Sequence, residues 1–346
     1  MTLPRARRLP YDAASFGRAD DSDDRDFYEV DRLVPHLDRS ALAAVEHVIG
    51  SLLDGDRLDV LDLMASWDSH LPSRLATRRV TGLGLNAREL AHNARLDDRI
   101  IHDLNRDPAL PFADHSFDAV LCTVSVDYLT RPFEVFEETT RVLRPGGLLL
   151  VVFSNRYFPE KVVRIWREAS EAERVMIVED YLGSCPELGP PQLWVSQGRP
   201  RPADDRYASL GLPSDPVYAV WAEKCGGPRR PVRSVPPVAD GAPADPSELA
   251  RRTAEVPRTL CCPHCGERLR KWAVPQTPFT EWDEEFMYVC FNDRCPYLVR
   301  GWDAMRRQGN LGVSYRLMYN PGSGRCMPVP VPSLRALRDG IVDDED

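Results

Sequence analysis

No apolar run in this 346-residue chain approaches the length needed to cross a bilayer, which sets aside a helical membrane span. Basic residues are not in excess either: 44 Lys and Arg stand against 53 Asp and Glu, a net charge of −9. Gripping phosphates needs a cationic surplus, so bulk charge does not favour nucleic acid as a partner. The first residues, Met1 to Arg8, are basic but hold no apolar core, and the acidic run Asp20-Asp21-Ser22-Asp23-Asp24 follows. That pattern is neither a secretory leader nor a mitochondrial presequence and points to a cytoplasmic setting, with no membrane partner. No internal repeat is found.

What is present divides the chain. Residues 1–26 are polar and acidic and are expected to be loose. Helical spacing of Val34, Leu37, Leu42, Val45, Val48, Ile49, Leu52 and Leu53 predicts a helix over 27–53, stopped by Asp54-Gly55-Asp56. Strands are predicted at 59–63, 79–85, 99–104, 117–124, 148–154 and 217–224. Helices are predicted at 87–94, 132–143 and 161–172, with 174–181 mixed. Strands alternating with helices imply an α/β, doubly wound, mostly parallel sheet, Rossmann-like, over 27–225. Its strand ends then share one edge, where ligands bind. Residues 226–258 are proline-rich and read as a linker. Residues 259–346 read as a second, small, β-rich domain.

That second domain carries Cys262-Pro263-His264-Cys265-Gly266 and then Cys290-Phe291-Asn292-Asp293-Arg294-Cys295. Close cysteine pairs in a reducing compartment favour metal over disulfide. Four thiolates favour closed, tetrahedral, structural Zn2+ held by Cys262, Cys265, Cys290 and Cys295. Cys261 and His264 are read as bystanders, and Cys326 is left unassigned. Cys122, inside an apolar strand, reads as an inert core thiol.

Four blocks in order carry a resemblance. They are Val60-Leu61-Asp62-Leu63, Val80-Thr81-Gly82-Leu83-Gly84, the run Leu110 to Val120, and Arg141-Val142-Leu143-Arg144-Pro145-Gly146-Gly147. Together they resemble class I S-adenosylmethionine-dependent methyltransferases of the methyltransferase type 11 family. The resemblance implies S-adenosyl-L-methionine as cofactor. It implies cofactor contacts from Asp62, Met64, Ser66, Asn86, Asp103, Leu104 and Thr123. Catalytic candidates, where the acceptor must lose a proton, are Asp127, Tyr128 and His70.

The chain departs from that family twice. Its first loop should be rich in glycine, yet Met64-Ala65-Ser66-Trp67-Asp68-Ser69-His70-Leu71-Pro72 has none. The second strand should end on an acid that holds the ribose hydroxyls, yet Gly84 stands there. The cysteine pattern separately resembles phage late-gene activator zinc fingers of the Ogr/Delta type. That would imply transcriptional contacts, but residues 259–346 balance 11 basic against 12 acidic side chains. The leading expectation is therefore a methyltransferase with a zinc domain for substrate or partner contact, its acceptor a small molecule or a macromolecule. A degenerate methyltransferase fold used as a binding scaffold is the second reading. A zinc-ribbon nucleic-acid or protein adaptor is the third.

Overall fold

The computed structural model describes residues 11–342 except 13, 54, 56, 211, 228–232, 234, 236–245, 276–281, 283 and 311. The chain divides into two compact units, one of 1–37, 41–195 and 217–236, the other of 38–40, 196–216 and 237–346.

The first unit is built on a seven-stranded sheet. Its strands are β1 (Leu58–Leu63), β2 (Thr77–Gly84), β3 (Asp98–Ile101), β4 (Phe117–Thr123), β5 (Leu143–Phe153), β6 (Gln192–Ser196) and β7 (Val217–Glu223). Their spatial order is β3-β2-β1-β4-β5-β7-β6. β1 to β5 pair in parallel, and β7 lies antiparallel on β5. This is the mostly parallel, doubly wound, Rossmann-like arrangement that the alternation implies. β4 and β5 are near-continuous apolar runs because helices cover both faces. The covering helices are α1 (Asp24–Tyr28), α2 (Arg39–Leu52), α3 (Ala87–His92), α4 (Pro132–Val142), α5 (Arg164–Glu168) and α6 (Glu171–Gly183). Strand order reverses between β1 and β4, which opens a crevice at their carboxyl ends.

Four expectations need correction. Residues 14–26 are not loose. Lys161 is fully buried and binds Asp24 and Asp20 at 3.3 and 3.0 Å, while Arg18 grips Asp24 at 2.7 Å. Tyr11 and Phe16 pack on Phe133 and Tyr181. The acidic run looked solvated because Lys161, the buried cation it surrounds, lies more than a hundred residues away.

The helix expected over 27–53 is two helices, α1 and α2, separated by the stretch around Pro35. Proline disfavours helix at the residue before it and lacks the N–H a helix interior needs. Asp54 and Asp56 of its expected stop lie outside the described residues.

The helix expected at 161–172 breaks at Ser170, whose hydroxyl caps Glu173 in a reciprocal capping box that starts α6.

Within the expected linker, α7 (Pro246–Thr259) is helical. It has little apolar periodicity to show in the sequence. Its face is laced instead by Glu248–Arg251, Glu248–Arg252 and Arg251–Glu255 pairs at helical spacing.

The second unit holds a four-stranded antiparallel sheet in the order β11-β10-β9-β8. Its strands are β8 (Arg270–Ala273), β9 (Phe286–Val289), β10 (Ser314–Asn320) and β11 (Arg325–Val331), and α8 (Pro296–Arg307) packs on β10. No described helix is long and apolar enough to cross a membrane.

Candidate functional site

A single cleft sits at the crevice between β1 and β4. It encloses about 1490 Å³ of space, open solvent at its mouth included. Every residue expected to meet the cofactor lines it: Asp62, Met64, Ser66, Asn86, Asp103, Leu104 and Thr123. Trp67 and Met64 form part of its wall.

The floor comes from the strand ends. Asp62 lies one residue before the end of β1, and Thr123 ends the neighbouring strand β4. Asp62 is 3% exposed, and its Oδ2 is buried without a hydrogen-bond partner, as is Thr123 Oγ1. Burial pushes the Asp62 carboxyl up to about 7, partly offset by the Ser69 hydroxyl. Unsatisfied buried polar atoms are rare in native proteins and call for an explanation. Val124, directly after β4, has φ 53°, and Met64, directly after β1, has φ 57°. A positive φ at a β-branched residue is a genuine outlier, and such strain clusters at functional sites.

The first loop replaces glycine freedom with side-chain anchors. Asn93 donates to the Ser66 carbonyl and the Ser69 hydroxyl, both at 2.9 Å. Asp68 accepts from the His70 backbone N–H at 2.9 Å and faces its Nδ1 at 3.2 Å. The Ala65 N–H donates to the Leu83 carbonyl at 2.8 Å, so the loop crosses directly over the end of β2. A Cβ at Gly84 would lie 2.2 Å from the Ala65 carbonyl oxygen. The two departures from the family pattern are therefore one event. The close approach needs one partner without a side chain, and here glycine sits on the strand instead of in the loop.

The cleft wall also contains residues that sequence reasoning missed. Glu89 of α3 is 6% exposed; its carboxylate accepts from the Ser66 hydroxyl at 2.5 Å and the Arg32 N–H at 2.7 Å. Tyr28, Arg32 and His36 come from the N-terminal segment, and burial holds the His36 imidazole below its ordinary pKa. Phe158 packs against His36 and Tyr128. The available signal was Asn86-x-x-Glu89, which reads as a capping box. Asn86 does cap α3, but Glu89 turns to Ser66 instead of to its own helix start.

Two expected roles change. Asn86 lines the cleft, but its oxygen accepts from the Arg88 and Glu89 N–H groups and its nitrogen donates to Tyr28 and Asp31. No part of its amide is left to hold a hydroxyl. Asp127 does not line the cleft. It sits in a short 3₁₀ turn, Val126–Tyr128, that carries its carboxyl into the core, where burial raises it to about 7. Tyr128 and His70 do line the cleft. Tyr128 accepts from the Phe158 N–H at 2.9 Å, and burial keeps its phenol protonated well above the ordinary range. Asp103 uses one oxygen to accept from the Asn105 N–H at 3.0 Å. Cys122 is buried and its thiol is pushed up to about 12, fitting an inert core residue.

A pH experiment isolates Asp62. Its folded pKa, near 7, lies above the ordinary 3.8. The folded state therefore holds a proton that the unfolded chain releases from about pH 4 upward. The stability Asp62 contributes is full below that pH and is lost as pH rises through about 7. Asp62→Asn should gain thermal stability relative to the unsubstituted chain across this window. Parallel melting curves that keep a constant offset would show Asp62 to be solvated.

In the second unit, Cys262, Cys265, Cys290 and Cys295 place their Sγ atoms within 4.8 Å of one another. Cys262–Cys295 and Cys265–Cys290 are 3.8 and 3.6 Å apart. A tetrahedron with metal–sulfur arms of ~2.3 Å has edges of ~3.8 Å, so the donor set fits zinc. Gly266 has φ 79° and donates its N–H to Cys262, closing the first knuckle. Buried Arg316 ties the second: it donates to the Cys290 carbonyl at 3.1 Å and to Asp293 at 2.6 Å. His264 stacks on Tyr297, and neither it nor Cys261 belongs to the cluster. Cys326 lies in β11, opposite Tyr319.

Comparison with known proteins adds the following. Residues 67–151 match the family model described as a methyltransferase domain. The chain is 33% identical over 130 residues to the 27-O-demethylrifamycin SV methyltransferase of Amycolatopsis mediterranei, covering 34% of this chain and 48% of that one. It is 38% identical over 68 residues to the ubiquinone/menaquinone biosynthesis C-methyltransferase of Roseobacter denitrificans, covering 20% and 27%. The chain thus spans about half or less of the length of these curated relatives. Among solved structures it is similar to the 4+2 cyclase SpnF, at 18% identity and a TM-score of 0.39, covering 54% of this chain and 82% of that one.

Proposed function

We propose that the cleft between β1 and β4 takes S-adenosylmethionine and is a methyl-transfer site. One observation carries this: Asp62 Oδ2 and Thr123 Oγ1 are buried and unpaired at the switch point of a doubly wound sheet, inside a roomy cleft. A polar ligand satisfies both atoms. The methyltransferase-domain match over residues 67–151 supports the choice of ligand. Bound there, S-adenosylmethionine supplies an electrophilic methyl carbon on a sulfonium sulfur.

The protein's task is then position, alignment and exclusion of water. Tyr28, Tyr128 and Phe158 give the acceptor side an aromatic wall. The Tyr128 phenol stays protonated; its hydroxyl hydrogen-bonds to Asp127 behind the wall while its oxygen accepts from the Phe158 N–H. Asp68 beside Nδ1 of His70 favours the tautomer with Nδ1 protonated, which leaves Nε2 free to take a proton from an acceptor that must lose one. Asp127, buried behind the wall, has no such role. In the second unit the four cysteines hold structural zinc, and that unit presents a surface to substrate or partner.

Calorimetry with S-adenosylmethionine and its demethylated product, S-adenosylhomocysteine, tests this on the full chain. Saturable heat with micromolar to submillimolar affinity is expected. Silence at several hundred micromolar ligand would leave the scaffold reading, which the missing side chain at Gly84 and the committed amide of Asn86 favour.

A further inference from the structure

We infer that Glu89 is the carboxylate that holds the vicinal diol of the bound nucleoside, in place of an acid at the end of β2. The inference rests on the cofactor reading above and adds a specific residue to it.

The end of β2 is closed to any acid. The Ala65 carbonyl occupies the space a side chain at Gly84 would need, at 2.2 Å from an ideal Cβ. Nor does the nearby amide substitute. The Asn86 amide is fully committed within the protein. Asp103 caps the turn that follows β3.

Glu89 stands one helical turn beyond Asn86, lines the same cleft and is more than nine-tenths buried. Each of its oxygens accepts one hydrogen bond, from Arg32 N and from Ser66 Oγ. An ionised carboxylate offers about four acceptor positions, so two stay available for a pair of hydroxyl donors. The partners it already has fix its orientation, and a preorganised acceptor binds without losing further side-chain freedom. Ser66 belongs to the first loop and Arg32 to the N-terminal segment, so Glu89 also ties the cleft's two sides together.

The test measures affinity for S-adenosylhomocysteine and for its 2′-deoxy analogue by calorimetry. The unsubstituted chain should prefer the ribose form by about tenfold or more, since hydrogen bonds to a charged group discriminate at that level. Glu89→Gln should bind S-adenosylhomocysteine at least about tenfold more weakly and lose most of the preference. Ser66→Ala keeps the carboxylate but removes one of its anchors. It should weaken both ligands alike and leave their ratio intact, which separates diol recognition from support of the loop. If Glu89→Gln keeps the ribose preference, the diol assignment fails while the cleft reading stands. If the unsubstituted chain binds neither ligand, both readings fail.

Discussion

Chelating the metal from the second unit, or replacing Cys290 by serine, should unfold that unit. Small zinc sites contribute an apparent ~10–16 kcal/mol at neutral pH, more than a small core supplies. Here Cys262, Cys290 and Cys295 sit within one apolar cluster with Leu269, Leu298, Leu317 and Tyr319, with Cys265 packed against it, so an ion held there would share its nucleus with the core. Arg316 makes the consequence sharper. It is fully buried, and two of the three groups that accept from it, Asp293 and the Cys290 carbonyl, are placed by the second knuckle; the third is the Leu334 carbonyl. Release of Cys290 leaves that guanidinium buried with misplaced partners, which itself costs several kcal/mol. Metal analysis of the full chain should give about one zinc per chain. Hydrogen exchange should show β9, β10 and α8 losing protection after chelation, with β1, β4 and β5 unchanged. Cys261→Ser and Cys326→Ser should keep both the zinc and the protection. Full protection in the Cys290→Ser chain would mean that the cysteines are packing residues and no metal is involved.

Restoring an acid at the end of β2 should harm the protein. Gly84→Asp brings a Cβ to 2.2 Å from a backbone oxygen, and backbone cannot swing aside as a side-chain tip can. The first loop is fixed on its other side by Asn93, so yielding means breaking those bonds. Overpacking of this kind costs about 2–3 kcal/mol, a fall in Tm on the order of 5–10 °C for a unit of this size. Gly84→Ala carries the same Cβ without the charge and should show most of the same loss. Affinity for S-adenosylhomocysteine should drop in both variants. A Gly84→Asp chain that melts normally and binds more tightly would place the loop away from β2 and undo the account of why glycine stands there.

The difference between what the residues announced and what the fold decided follows from range. Local pattern was enough for the parallel sheet: apolar runs at Val60–Leu63, Phe117–Thr123 and Leu148–Phe153 with helices between them admit few other solutions. The family resemblance nominated Asp62, Met64, Ser66, Asn86, Asp103, Leu104 and Thr123 as cofactor contacts, and all of them line the cleft at the sheet's edge. The spacing of Cys262, Cys265, Cys290 and Cys295 was equally plain, since two knuckles need few residues between their ligands.

What the sequence could not carry were contacts whose partners are remote or whose geometry is negative. Lys161 meets Asp20 and Asp24 from more than a hundred residues away, so the acidic N-terminal segment looked solvated when it is packed. Asp127 follows β4 in sequence, but one 3₁₀ turn sends it into the core and leaves Tyr128 at the cleft. The absence of glycine in one loop and of acid on the neighbouring strand looked like two defects. Only the packing of Ala65 over Gly84 joins them, because excluded volume between two backbones leaves no mark in either segment alone.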